Sequence, residues 1–158
     1  MNAVKFSEES LKRFDEIVGR YPKKEAAMLP VLYLAQKEFG YLSSEAIEYV
    51  AGIMDVPVAR VYGVVTFYTM LNMKPIGRHH IQICRTLPCA LAGAERIAAA
   101  IRAKLRIGVG ETTTDGKFTL SEVECLASCG TGPMMQVNDD YYEDLTENRI
   151  AEILENLK

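Results

Sequence analysis

Four cysteines are the residues of this sequence best suited to chemistry, and they fall into two pairs. The first is Cys84-x4-Cys89 in the stretch ICRTLPCALAG, the second is Cys125-x3-Cys129 in VECLASCGTGP, and 35 residues lie between the pairs. A two-iron, two-sulfide core takes two thiolates at each iron, and a cysteine pair with three or four residues between its members can chelate one iron from a loop without strain. Four thiolates also satisfy tetrahedral zinc. Structural zinc sites favour two residues between ligands, however, and both gaps here are longer. Cys-x-x-Cys is absent as well, which removes the simplest thioredoxin-type redox couple. Without an export signal the thiols are expected in a reducing compartment, where structural disulfides are rare. The residues place iron-sulfur ligation first, structural zinc second, and a disulfide or buried thiols third.

The elements around these pairs must bring them together. HHIQIC reads as a buried strand, LAGAERIAAAIRAKL as a helix, and FTLSEVEC as a second strand, β-branched and alternating. A strand-helix-strand unit makes the two strands parallel neighbours, so both cysteine pairs should leave the same edge of a sheet and their sulfurs should converge. MMQVNDDYYEDL then reads as a hairpin with Asn138, Asp139 and Asp140 in its turn, and TENRIAEILENLK as a helix capped by Thr146. The order β-α-β-β-β-α fits a thioredoxin-like layer. Upstream, helices are expected from Ser7 (as N-cap) to about Arg20, from Lys24 to Phe39 with a kink or break at Pro30, from Ser43 or Ser44 to Met54, and from Pro57 through VARVYGVVTFY. Their aliphatic stripes read as core. The expected fold class is therefore α+β: a helical lobe over residues 1–74, then a mixed sheet flanked by helices over residues 75–158, with Lys74-Pro75-Ile76-Gly77 as the boundary.

Composition excludes several function classes. A net charge of −3 gives no basic field, and no basic face with interleaved aromatics is present, so nucleic acid is not an expected partner. No apolar run approaches the length of a membrane span, and the N-terminus lacks the character of a signal or transit peptide; a cytoplasmic chain without direct membrane insertion is expected. GVGETTTDG lacks the strand-first context of a dinucleotide fingerprint and reads as a loop. His79 and His80 cannot both face one metal from a regular strand, and alternation should turn one inward. The acidic run NDDYYEDLTEN reads as a solvated turn, with Asp144 and Glu147 suiting a helix N-terminus. Met134 and Met135 read as core. Arg85, beside Cys84, is either a partner for an anionic centre or a surface charge. In the second loop, Gly130 and Gly132 should allow backbone N–H groups to wrap closely around sulfur.

The stretches GVVTFYTML, CRTLPCALAG and VGETTTDGKFTLSEVECLASCGTGPMMQVNDDYYEDLT, together with the helical lobe, resemble a known family: the small thioredoxin-like 2Fe-2S subunit of the NADH-quinone oxidoreductase of respiratory chains, complex I. The resemblance covers about residues 8 to 158. It implies a thioredoxin-like ferredoxin domain behind a helical lobe, and one 2Fe-2S cluster held by Cys84, Cys89, Cys125 and Cys129. The implied function is electron transfer within an oxidoreductase complex, with no substrate converted by this chain alone. The implied partner is the FMN- and NADH-binding flavoprotein subunit, so FMN and NAD belong to that chain, and the location is cytoplasmic, peripheral to the inner membrane. The functional surface is then the edge bearing the cysteine loops with part of the lobe. NAD-reducing hydrogenases and NAD-dependent formate dehydrogenases share the same motifs and are the alternative parent complexes; a structural zinc module for assembly is the alternative of another class. Two positions depart from the usual Cys-x-Gly-Ala-Cys. Ala127 stands where glycine would allow a left-handed backbone at no steric cost, and Ser128 adds a hydroxyl that, if bonded to sulfur, would raise the cluster potential.

Overall fold

The strand expected over HHIQIC is present as β1 (His79–Cys84), and it is the centre of the site-bearing half of the chain. The computed structural model describes residues 4–157. Its sheet has the order β2-β1-β3-β4, with β2 (Phe118–Val123) parallel to β1, and β3 (Met135–Val137) and β4 (Asp140–Tyr142) forming an antiparallel hairpin on its other side. The mixed sheet with flanking helices is the α+β architecture expected. Strands β1 and β2 run level, from His79 opposite Phe118 to Cys84 opposite Val123, so both chain segments leave the sheet at one edge. That register places the two cysteine segments side by side.

Helix α6 (Ala94–Leu105) buries Ala94, Ile97, Ala98 and Ile101, the i, i+3, i+4, i+7 stripe of an amphipathic helix. It packs on β1 and on α7 (Glu147–Asn156), whose Ile150 and Leu154 enter the same core as Ile81, Ile83, Leu120, Met134 and Met135. Thr146 caps α7 as expected, accepting from the Arg149 N–H at 3.2 Å. Gly77 is required where the chain enters β1, because a Cβ there would stand 2.8 Å from the Phe118 carbonyl carbon. The glycine-rich stretch is a loop, but it also folds back along the outer edge of β2. The Gly110 N–H donates to Leu120 O and the Thr113 N–H to Phe118 O, which satisfies groups that an open edge would leave bare. In the hairpin, Asp140 belongs to β4, so the turn is shorter than expected. Asn138 adopts a left-handed conformation (φ 54°), and its amide bridges the His80 N–H and the Arg78 carbonyl. His80 is the inward histidine, with Nε2 2.8 Å from Ser121 Oγ, and burial holds its pKa below the ordinary range.

The chain divides into two compact units between Pro75 and Ile76. The N-terminal unit is helical: α1 (Glu8–Val18), a 3-10 turn (Lys24–Ala27), α2 (Met28–Phe39), α3 (Ser44–Met54) and α4 (Val58–Phe67). Ser7 and Ser43 cap α1 and α3 through their hydroxyls. Pro30 neither kinks nor breaks a helix. It is the third residue of α2, where its missing N–H would have had no intrahelical acceptor, and the irregularity lies upstream in the 3-10 turn. The stripes supply the unit's core through Phe14, Val31, Leu32, Ile47, Val50, Met54, Val61 and Val65, whereas Leu11 of the α1 stripe is exposed.

Candidate metal centre

Cys84 is the last residue of β1, and Cys125 follows the end of β2 by two residues. Cys89 lies on α5 (Leu87–Leu91), a one-turn helix where the sequence predicts a loop. Thr86 stands at its N-cap, but its hydroxyl lies 3.2 Å from Cys84 Sγ instead of capping the helix. Cys129 opens a 3-10 turn (Cys129–Thr131). All four cysteines are free thiols, Cys84 and Cys89 buried, Cys125 and Cys129 exposed.

The sulfurs are brought together in pairs. Cys125 Sγ and Cys129 Sγ are 3.8 Å apart, about the edge of a tetrahedron around a metal with ~2.3 Å metal–sulfur bonds. Cys84 and Cys89 are close enough to perturb each other's thiols, lowering the pKa of the first and raising that of the second. Among the described residues no group of three or more His, Cys, Asp or Glu side chains is arranged to hold a single metal ion. A two-iron core needs only two thiolates at each iron. Gly132 joins the two segments: a Cβ there would lie 3.2 Å from Cys89 Sγ, so its absence lets the second loop close on the first, while Gly130 faces open space.

Neighbouring backbone and side-chain groups act on the sulfurs. Burial pushes the Cys84 thiol up, but the Thr86 side chain, the Leu126 and Thr86 N–H groups and the Cys89 thiol outweigh it and hold Cys84 below the ordinary cysteine range. Burial raises Cys89, with the bond to Cys84 adding to it, against the Met134 N–H, which favours the thiolate. Cys129 is raised chiefly by its hydrogen bond with Cys125 and by the charge of that neighbour. The Ala127 N–H reaches Cys125 Sγ at 3.3 Å. Donors of this kind stabilise negative charge on sulfur, which is what thiolate ligation of iron requires.

Ala127 makes its contact from a left-handed backbone, φ 62°. The loop keeps the conformation that glycine would adopt freely, at the steric cost of a Cβ. Ala127→Gly is therefore expected to stabilise the protein by about 0.5 kcal/mol, the relieved strain slightly exceeding the added flexibility of the unfolded chain; thermal unfolding that moves downward instead would contradict this. Ser128 corrects the sequence-based expectation. Its hydroxyl donates to the Glu143 carboxylate and stands 2.8 Å from Thr131 Oγ1, with no bond to sulfur, because a carboxylate is the stronger acceptor. Glu143, read as part of a solvated run, is thereby a member of the site, and sequence offered no signal for it. Arg85 is held by Glu124, with Nη2 2.6 Å from Oε1, in an exposed ion pair. Met134 and Met135 are fully buried in the core, as expected.

The model of the thioredoxin-like [2Fe-2S] ferredoxin family matches residues 14–158. The chain belongs to this family. Membership brings one [2Fe-2S] cluster as the expected cofactor, and the four thiols and their N–H donors fit such a group chemically. Relatives of this ferredoxin-like chain are similar along nearly its whole length. It is 47% identical over 156 residues to a subunit of the NADH-quinone oxidoreductase of Rickettsia conorii, covering 97% of this chain and 93% of that protein. It is 43% identical to the mitochondrial NADH dehydrogenase [ubiquinone] flavoprotein 2 of Dictyostelium discoideum, covering 97% of this chain and 63% of the relative. Among solved structures, an NAD+-reducing [NiFe]-hydrogenase in the air-oxidised state superposes with a TM-score of 0.72 at 19% identity, over 82% of this chain and 22% of that one, a likeness of fold.

Proposed function

We propose that the chain is the [2Fe-2S] electron-transfer subunit of an NADH-quinone oxidoreductase, with Cys84 and Cys89 at one iron and Cys125 and Cys129 at the other. The observation that carries this is the level pairing of β1 and β2, which delivers two chelating cysteine pairs to one sheet edge, in a chain 47% identical over most of its length to a subunit of such a complex. A bound cluster supplies one-electron chemistry and offers no open position to a substrate. The chain's own residues hold the irons, direct N–H groups at sulfur and keep water from Cys84 and Cys89 through burial. Residues 75–158 are the cluster-bearing domain and residues 1–74 its helical lobe. The hydrogenase likeness concerns the fold, so identity along the chain favours the quinone-linked complex.

The electron partner in this reading is the FMN- and NADH-binding flavoprotein subunit of the same complex. Leu87 and Leu91 stand 70% and 81% exposed on α5, either side of Cys89, which suits an edge that another chain covers. Among the described residues no helix is long and apolar enough to cross a membrane. As part of such a complex the proposed place of the chain is peripheral to the inner membrane, on the cytoplasmic side. Expressed with that flavoprotein, the chain is expected to co-purify at equal stoichiometry with FMN, and NADH should bleach the cluster absorption. A stable lone species whose cluster NADH and the flavoprotein leave oxidised would overturn the assignment.

A further inference from the structure

The second cysteine loop is exposed, yet it must hold its two sulfurs at a fixed spacing. Attachments from β4 and the residues after it secure this loop. The Tyr141 hydroxyl donates to Leu126 O at 2.9 Å, and the Asp144 N–H donates to Thr131 O at 2.8 Å. Between them stands Glu143. Its carboxylate receives the hydroxyl of Ser128, which lies next to Cys129, and that of Thr131 at 2.6 Å, and the two hydroxyls are 2.8 Å from each other. Glu143 is itself tied to α7, since its carbonyl accepts from Arg149 Nη1 at 2.7 Å. A line of contacts thus runs from the first turn of α7 through Glu143 into the turn between Cys125 and Cys129.

We propose that Glu143 is a positioning residue for the second cysteine pair: by gathering the Ser128 and Thr131 hydroxyls it clasps the loop in the form that presents Cys125 and Cys129 together. The inference rests on the ligand assignment above and adds a residue that carries no iron. Its physical basis is the strength of hydrogen bonds to an ionised carboxylate, about twice that of neutral ones. The clasp acts at a point where Cys125 and Cys129 lack the burial that fixes Cys84 and Cys89. Losing two such bonds should raise the open fraction of the loop by about tenfold or more. Glutamine keeps an oxygen that accepts both hydroxyls, so it should preserve the clasp while removing a negative charge close to the cluster.

The test uses the full chain loaded with its cluster, following the loss of visible absorption in excess chelator and the midpoint potential. Glu143→Ala is expected to release the cluster about tenfold faster than the parent, and Glu143→Gln within about threefold of it but with a higher midpoint potential. Adding Ser128→Ala to Glu143→Ala should produce no further acceleration, because that hydroxyl acts through the carboxylate. Equal release from Glu143→Ala and the parent would overturn the proposal, as would single effects of Ser128→Ala and Glu143→Ala that multiply in the double variant. If Glu143→Ala does not fold, a Glu143→Gln variant that releases as fast as Ser128→Ala, with an unmoved potential, overturns it too. A parent that binds no iron would refute the ligand assignment itself, whereas a loaded parent indifferent to Glu143 refutes the clasp alone.

Discussion

Cys125→Ala and Cys129→Ala are expected to abolish the cluster while leaving the stability of the cluster-free chain within about 0.5 kcal/mol of the parent. Both thiols are exposed, so each substitution removes a proposed ligand and little packing. Cys84→Ala and Cys89→Ala should also abolish the cluster, but with a different second effect. These side chains are 2% and 1% exposed and share the core with Ile83, Ala94 and Ile97. Deleting a buried sulfur there leaves a small void and should cost about 1 kcal/mol or slightly more even without iron. Iron content with denaturant unfolding of the cluster-free forms separates the two effects. An exposed-cysteine variant that keeps a full cluster, or a buried-cysteine variant as stable as the parent, would contradict the account.

Ile81→Ala should have the largest effect on folding. Ile81 is fully buried in the central strand, opposite Leu120 of β2 and Val137 of β3, so its removal opens a cavity where three strands meet. Losses for such changes run at about 2–5 kcal/mol, against a total stability of about 5–15 kcal/mol for a typical domain. A drop of about 4 kcal/mol is expected, together with weaker cluster retention, since β1 ends in Cys84. Leu91→Ala, at a side chain 81% exposed, serves as the control and should change stability by no more than about 0.5 kcal/mol. Comparable losses from the two variants in equilibrium unfolding would place the core elsewhere.

Much of this arrangement was legible in the residues because it depends on local pattern. The strand over HHIQIC, the α6 stripe from Ala94 to Ile101 and the caps at Ser7 and Thr146 each announce themselves through periodicity or a terminal hydroxyl. From a parallel pair it followed that both cysteine segments leave one edge. Helix α5 escaped notice because a single turn is too short to show a period of 3.6; Pro88 at its second position was the available cue. Pro30 misled for the converse reason, since proline is harmless in a first turn and the true start of α2 carries no side-chain cap.

The polar parts of the site were less legible because tertiary neighbours decide them. Ser128 lies beside Cys129 in sequence, and its hydroxyl was free to meet sulfur until the fold placed Glu143, fifteen residues on, within reach. Glu143 lay in an acidic run, and nothing local distinguishes it from its neighbours there. Ala127 shows that the loop's conformation is imposed by its anchors, since the residue itself disfavours a positive φ.

The most direct test of the account is the metal content of the chain purified without oxygen. Two irons and two acid-labile sulfides per chain are predicted, with visible absorption that bleaches on reduction and an EPR signal approaching one spin per chain in the reduced form. One zinc per chain, with no visible absorption and no signal on reduction, would contradict it.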